Sequence, residues 1–159
     1  MTYTTKSVEE TLTIASTFAE RLRRGDIVAL YGELGSGKTQ FAKGVCNYFG
    51  VRGPVASPTF VLLNRYNGKD GSGKELLIFH LDLYRTKSVT EIYDLGYEEF
   101  FSGDGICLIE WAEQLAGLLP ECRYDVRLFF GKTEDERIVE MTKRVTVKQN
   151  VLSGMHSVQ

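Results

Sequence analysis

The sequence predicts an α/β fold, a three-layer sandwich in which a mixed sheet has parallel core strands and an antiparallel C-terminal hairpin. Short apolar runs, typical of strands covered on both faces, alternate along the chain with segments of helical periodicity. The first of these runs leads through a glycine-rich loop into a helix. Two further runs near the C-terminal end are separated by a charged turn, as in a hairpin.

The first third of the chain predicts a helix, a strand, a loop and a second helix. The capping box Ser7–Glu10 opens a helix that ends at Gly25–Asp26. Residues 27–31 form a continuous apolar run, as expected of a central strand, and residues 38–48 predict the helix after the loop. The apolar positions of the first helix are Val8, Leu12, Ala15, Phe18, Ala19 and Leu22.

The middle of the chain predicts two strands and a helix. Residues 57–66 have the pattern of a loop entering a strand, and the polar, glycine-rich residues 67–74 that of a hairpin connection. Residues 75–85, ELLIFHLDLYR, form the next strand. A second capping box, Ser88–Glu91, then predicts a helix that runs towards Phe101.

The last elements are a strand, a short helix and a hairpin. The run GICLIEW at 105–111 predicts a strand, and residues 112–119 predict a short helix. Residues 123–130 and 137–143 flank a charged turn and predict an antiparallel hairpin. We therefore expect one domain over residues 1–141. Residues 142–159 lack clear periodicity, and we expect a tail that is partly disordered or docked on the surface.

Composition excludes several classes of protein. At 159 residues the chain can bury a core without disulfides or a structural metal. Its formal net charge of −2 gives no basic excess, so we expect no DNA binding. The cysteines Cys46, Cys107 and Cys122 lack the spacing of a zinc site and predict reduced thiols. The polar N-terminus and the short apolar runs predict a cytoplasmic protein with no membrane association.

The glycine-rich loop matches the phosphate-binding pattern GxxxxGK[ST] of P-loop nucleotide hydrolases and kinases. Its glycines let successive backbone N–H groups approach an anion, while Lys38 can bridge the β- and γ-phosphates and Thr39 can place its hydroxyl on Mg²⁺. The sequence therefore predicts binding of ATP and Mg²⁺. The expected contacts in this segment are Gly32, Glu33, Leu34, Gly35, Ser36, Gly37, Lys38, Thr39 and Gln40.

A second GKT, at Gly131–Thr133, serves as an internal comparison. The upstream glycine that the pattern requires is replaced by Val126, and acidic residues follow where a helix should begin. We predict that this GKT is only a turn.

Two carboxylates follow predicted strands that would end beside the loop. Asp82 is the best candidate to hold Mg²⁺, since a nucleoside triphosphate site needs a carboxylate at the end of a neighbouring strand. Glu110 ends the run ICLIE and could orient a water molecule or help to organise the metal. His80 shares a strand face with Asp82 and is equally well explained as a structural neighbour. Trp111 either covers the nucleotide or packs in the core.

The loop before the second strand adds one further candidate. Ser57 and Thr59 flank Pro58, and Thr59 could reach the γ-phosphate or Mg²⁺ in the manner of a nucleotide-sensing loop. The chain lacks the [NT]KxD signature of guanine-binding proteins, so adenine is the default base.

Four motifs in order, GELGSGKT, SPTF, HLDLYR and IEWAE, resemble those of the TsaE (YjeE) family over roughly residues 7–130. These are bacterial ATPases required for making threonylcarbamoyladenosine in tRNA. The resemblance implies that TsaD and TsaB are partners, that they transfer the threonylcarbamoyl group next to the anticodon, and that ATP hydrolysis lets their complex turn over. It implies contact with tRNA only through that complex.

The resemblance also implies roles for individual residues. Lys38, Asp82 and Glu110 would be catalytic, and Thr39, Asp82 and Glu110 would serve Mg²⁺. Thr59 would lie in the switch-like loop, and Trp111 would belong to the nucleotide site.

Three functional hypotheses remain open at this point. The first is a partner-dependent ATPase that is slow alone, since no arginine finger is evident and such a group contributes about 10³- to 10⁵-fold in rate. The second is a small-molecule P-loop kinase, in which Arg85 could serve a substrate phosphate. The third is a binding module in which ATP only orders a partner surface.

Overall fold

The computed structural model describes residues 1–58 and 62–146, which form a seven-stranded mixed sheet with helices on both faces. The strands are β1 (Thr2–Thr5), β2 (Ile27–Tyr31), β3 (Leu63–Lys69), β4 (Glu75–Asp82), β5 (Ile106–Glu110), β6 (Arg123–Phe130) and β7 (Arg137–Arg144). The helices are α1 (Val8–Ala19), α2 (Lys38–Tyr48), α3 (Val89–Asp94) and α4 (Tyr97–Ser102), followed by a 3₁₀ segment, Ala112–Leu118.

The order of the strands brings three carboxyl ends together at one edge of the sheet. The order is β1-β7-β6-β2-β5-β4-β3. The four core strands β6, β2, β5 and β4 are parallel, whereas β3, β7 and β1 pair antiparallel with their neighbours. The predicted mixed sheet with a parallel core and an antiparallel C-terminal hairpin is therefore confirmed. Since β5 lies between β2 and β4, the ends of these three strands surround the glycine-rich loop.

Both faces of the central sheet are buried, which explains the continuous apolar run of β2. Val28 and Leu30 belong to the core beneath α1 and α2, whereas Ile27 and Ala29 belong to the core beneath α3, α4 and the 3₁₀ segment. A strand covered on both faces needs apolar residues at every position. The two clusters make the outer layers of the sandwich.

The start of α1 follows the predicted capping box. The Glu10 N–H donates to the Ser7 hydroxyl at 3.1 Å, and the Glu10 carboxylate accepts from the N–H of Lys6 at 2.7 Å. Two assignments on this helix are wrong. Val8 is exposed and lines an open cavity beside the glycine-rich loop. The helix ends at Ala19 and not at Gly25–Asp26, so Leu22 lies beyond it.

Several predicted boundaries are corrected by backbone geometry. The helix expected from Ser88 to Phe101 is two helices, because Gly96 adopts a left-handed φ of 69° between α3 and α4. The helix expected over residues 112–119 is a 3₁₀ segment with a kink at Ala116. The hairpin connection expected at residues 67–74 is shorter, since β3 continues through Lys69.

The strand ends also differ from the sequence analysis. The strand expected over residues 75–85 ends at Asp82, where the chain turns and Leu83 N–H donates to Glu110 O. The short strand β1 was not predicted, and β7 includes residues 142–144 that were assigned to the tail. Residues 147–159 of that tail lie outside the described residues. Within the described part of the chain, no helix is long and apolar enough to cross a membrane.

Candidate functional site

The glycine-rich loop joins the carboxyl end of β2 to the first turn of α2. The glycines at 32, 35 and 37 all have positive φ, with values of 153°, 81° and 106°. A Cβ at Gly32 would come within 2.7 Å of the Leu128 carbonyl oxygen, so no other residue fits there without movement. The backbone therefore has the conformation that turns N–H groups towards a bound anion, beside the positive end of α2.

The side chain of Lys38, the first residue of α2, folds back over the glycine-rich loop. Its ammonium donates to the carbonyl oxygens of Gly32 at 2.6 Å and Glu33 at 3.0 Å, and only 4% of the residue is exposed. Burial lowers the pKa of Lys38 from its ordinary value, while Glu110, Glu113 and Asp82 act in the opposite direction. The cation therefore lies within the loop that would hold a phosphate.

Trp111 lines the cleft and is partly buried against the core beneath α3 and α4. Its ring centroid is 4.1 Å from the Lys38 ammonium and 4.8 Å from the ring centroid of Tyr84. The residue has a φ of 56°, a left-handed conformation that is unfavourable for a bulky side chain. This backbone turn directs the chain out of β5 and sets the indole beside Lys38.

The carboxylate of Glu110 is held from two sides at the end of β5. The Thr39 hydroxyl donates to Oε1 at 2.8 Å, and His80 Nε2 lies 2.6 Å from Oε2. Glu110 is 2% exposed and His80 is fully buried. The hydroxyl expected to reach Mg²⁺ and the carboxylate expected at the same site are thus in direct contact.

Asp82 lies opposite Glu110 in the register between β4 and β5. Its Oδ2 accepts a hydrogen bond from the Ser57 hydroxyl, and its Oδ1 accepts from the Tyr84 N–H at 2.9 Å. Both carboxylates therefore emerge at the same height of the sheet, next to Thr39. The hydrogen bond to Asp82 joins the loop containing Ser57 to the site.

A cleft of about 640 Å³ connects these groups. Among the sequence-predicted residues it is lined by Leu34, Gly35, Gly37, Lys38, Thr39, Gln40, Asp82, Arg85, Glu110 and Trp111. Ser36 is buried within the loop, and Thr59 lies outside the described residues. Sequence reasoning missed the hydrogen bond from Ser57 and the contact between His80 and Glu110, because both depend on how separate strands align.

A second cavity of about 250 Å³ lies on the α1 side of the loop. Ser7, Thr11 and Arg137 line it, and Gln40 lines both this cavity and the larger cleft. It joins hydroxyl groups, an amide, a guanidinium and the carboxylate of Asp135, a set that can hydrogen-bond a polar heterocycle or a sugar.

The groups around Thr39 suit a hard cation that is also bound by a ligand. No cluster of three or more His, Cys, Asp or Glu side chains arranged to hold a metal occurs in residues 1–58 and 62–146. The site instead offers one hydroxyl and two carboxylates. Mg²⁺ commonly binds in this way, through one or two carboxylates together with substrate phosphates. The donor set therefore fits Mg²⁺ bound along with a nucleoside triphosphate.

The second GKT shows no such surroundings. Gly131 N–H donates to the Glu136 carbonyl at 2.8 Å and closes the turn between β6 and β7, while Lys132 and Thr133 are exposed. The expectation that this segment is only a turn is confirmed.

Known proteins match most of the chain. A family model described as "Threonylcarbamoyl adenosine biosynthesis protein TsaE" matches residues 5–139. A Bacillus subtilis (strain 168) protein named tRNA threonylcarbamoyladenosine biosynthesis protein TsaE is 39% identical over 138 residues, covering 87% of this chain and 82% of the relative. A Treponema pallidum protein of the same name is 36% identical over 77% of this chain and 87% of its own length. The crystal structure of Bacillus subtilis YdiB aligns with a TM-score of 0.74 at 34% identity, covering 92% of this chain and 86% of that one.

Proposed function

The chain belongs to the TsaE family, and on that premise we propose that it is a Mg²⁺-dependent ATPase acting in the threonylcarbamoyladenosine modification of tRNA. The observation that carries the proposal is the contact between the phosphate-binding motif and the carboxylate at the end of β5. Thr39 donates to Glu110 at 2.8 Å, so the glycine-rich loop and a catalytic carboxylate share one cleft.

In this proposal the loop and Lys38 bind the phosphates of ATP. Lys38 exchanges its hydrogen bonds to the carbonyl oxygens of Gly32 and Glu33 for phosphate oxygens, which compensate the charge of the ammonium better than neutral carbonyls do. The rest of the nucleotide extends towards the cavity beside α1, which Gln40 and Arg137 line.

Thr39, Asp82 and Glu110 would hold Mg²⁺. The Thr39 hydroxyl donates a hydrogen bond to Glu110, so the lone pairs of the Thr39 oxygen remain available to a cation. When bound, the ion neutralises charge that develops on the transferred phosphoryl group.

The reaction is an in-line displacement by water. The water oxygen bonds to the γ-phosphorus, the bond from phosphorus to the β,γ-bridging oxygen breaks, and ADP and inorganic phosphate leave. Glu110 orients the water, because each carboxylate oxygen can accept a second hydrogen bond besides those from Thr39 and His80.

The proposal includes the partners TsaD and TsaB. We expect slow hydrolysis by the chain alone and faster hydrolysis in the complex, whose other subunits can add cationic groups at the open cleft. With a net charge of −2 the chain has a weak electrostatic attraction for tRNA, so the complex would provide most of the contact with tRNA.

A P-loop kinase is the second candidate. It is favoured by Arg85, which lines the same cleft and could bind the phosphate of a substrate. A kinase leaves a phosphorylated acceptor whereas a hydrolase leaves free phosphate, so measuring inorganic phosphate per ATP consumed distinguishes them.

The test is Lys38→Ala, with Lys132→Ala in the second GKT as the matched control. Because Lys38 stabilises charge on the transferred phosphate, we expect hydrolysis to fall by about 10²- to 10³-fold. Lys132 is exposed in a turn, so its variant should hydrolyse ATP normally. An unchanged rate in Lys38→Ala would contradict the assignment of the site.

A further inference from the structure

A chain of hydrogen bonds leads away from Glu110 on the side opposite to Thr39; it is buried at His80 and exposed at Ala56. His80 Nε2 lies 2.6 Å from Glu110 Oε2, and His80 Nδ1 lies 3.1 Å from the hydroxyl of Tyr66. The Tyr66 hydroxyl is in turn 3.1 Å from the carbonyl oxygen of Ala56. The contacts therefore connect the catalytic carboxylate to the loop next to Ser57.

The position of His80 on its strand sets it apart from ordinary core residues. On the same face of β4, the preceding residues Leu76 and Ile78 are buried and apolar, whereas His80 and Asp82 follow them towards the cleft. A fully buried imidazole needs partners at both nitrogens. Both nitrogens of His80 have such partners, which are Glu110 and Tyr66.

The contacts of His80 fix the orientation of its ring. A carboxylate only accepts hydrogen bonds, so Nε2–H of His80 donates to Glu110 Oε2. The Tyr66 hydroxyl, which donates to the Ala56 carbonyl, lies 3.1 Å from Nδ1 and holds the other side of the ring. The ring is thereby held in one orientation.

We propose that His80 is a positioning residue for Glu110, and that Tyr66 holds His80 in place. With Oε2 fixed by His80, Oε1 is directed at Thr39, and the carboxylate is already oriented before the reaction begins. The inference rests on the proposed ATPase function and adds two residues to it. Neither residue lines the cleft, so both act through Glu110.

The kinetic test compares two amide substitutions at His80. Glutamine reaches far enough to place an N–H donor near the former Nε2 position, whereas asparagine reaches only the Nδ1 position and leaves Oε2 without a donor. We expect His80→Asn to lower kcat by about 10- to 100-fold and His80→Gln to retain most of it. The KM for ATP and the affinity for a non-hydrolysable ATP analogue, followed by Trp111 fluorescence, should change by less than about threefold in both variants.

Tyr66→Phe keeps the ring and removes only the hydroxyl, so it should lower kcat less than His80→Asn does. Thermal unfolding of each variant shows whether the protein is folded. A smaller folded fraction would reduce analogue binding and kcat together, whereas a positioning role reduces kcat alone.

Nitrogen NMR provides a measurement that does not depend on turnover. The chain has only two histidines, His80 and His156, so ¹⁵N-histidine labelling with a His156→Gln variant assigns the His80 ring. We expect a slowly exchanging proton on Nε2, a changed Nε2 signal in Glu110→Gln and a changed Nδ1 signal in Tyr66→Phe.

Two results would overturn the role of His80 in an active protein: an Nε2 without a proton, or equal kcat values for the Gln and Asn variants. If the unaltered protein hydrolyses no ATP even with its partners, the proposed function itself fails and the role fails with it. Failure of the His80 role and failure of the ATPase function therefore give different results.

Discussion

Thr39 shows how much one side chain contributes to the site, since its hydroxyl is the only group that joins α2 directly to Glu110 among the described hydrogen bonds. A threonine hydroxyl at the start of the helix can donate a hydrogen bond to the carboxylate while its oxygen lone pairs bind a cation. Its position at the P-loop end of α2 keeps the hydroxyl at the mouth of the cleft.

We predict that Thr39→Val raises the Mg²⁺ concentration for half-maximal hydrolysis by at least about 10-fold. Valine has nearly the same shape but lacks the hydroxyl, so packing is preserved while one oxygen ligand is lost. Hydrolysis measured across a Mg²⁺ titration tests this.

Thr133→Val, the same change in the exposed second GKT, is the control and should leave the Mg²⁺ dependence unchanged. An unaltered Mg²⁺ dependence in Thr39→Val would contradict the proposed role of Thr39 in binding Mg²⁺.

The sequence predicts some contacts of individual side chains in the cleft and not others. Lys38 and Thr39 are fixed by the spacing of a local motif, and the structure brings them together at the cleft as expected. The contacts of Glu110 with His80 and of Asp82 with Ser57 join residues 30 and 25 positions apart, so they require the alignment of strands and loops. Single-sequence patterns contain no information on that alignment.

The element that presents the loop is α2, and its position depends on close packing against α1. A Cβ at Gly44 would lie 2.6 Å from the Cβ of Ala15 and 2.6 Å from the carbonyl oxygen of Leu12. The absence of a side chain at Gly44 lets the two helices approach, and this seats α2 against the sheet.

We predict that Gly44→Ala destabilises the protein, since the added methyl group overpacks against backbone that cannot easily move, at a cost of about 1–3 kcal/mol. The gain of about 1 kcal/mol in helix propensity offsets part of this cost and leaves a net loss of up to about 2 kcal/mol. Urea unfolding, followed by far-UV circular dichroism, measures the difference in free energy of unfolding.

Gly117→Ala is the matched control, because nothing lies within 4 Å of a Cβ built there. A Gly44→Ala variant as stable as the Gly117→Ala variant would show that the helices have room to separate.

The starts of the periodic elements were predicted closely, whereas the end of α1 and the strand β1 were not. The bounds of β2 and α2 agree with the sequence analysis because each has an apolar pattern and a clear start signal. The strand β1 has only four residues, three of them threonine, and exists because it pairs with β7 far along the chain. The break between α3 and α4 depends on the left-handed conformation of Gly96, which a capping-box pattern does not reveal.

At the scale of the whole molecule, strand order decides which residues meet. Asp82 and Glu110 belong to β4 and β5, which are adjacent and parallel, so their side chains emerge beside the loop that follows β2. The rule that ligands bind at the carboxyl ends of parallel strands predicted this edge from the sequence. Which strands are neighbours in the sheet is seen only in the structure.

One experiment measures ATP hydrolysis and tRNA modification together. Purified protein, alone and with TsaB and TsaD, is incubated with ATP, Mg²⁺, the threonylcarbamoyl donor and tRNA, and phosphate release and threonylcarbamoyladenosine are measured in the same samples. We predict faster hydrolysis with the partners and several modified tRNA molecules per complex, both lost with Lys38→Ala. If hydrolysis and modification are the same with and without this protein and its Lys38→Ala variant, the proposed function is contradicted.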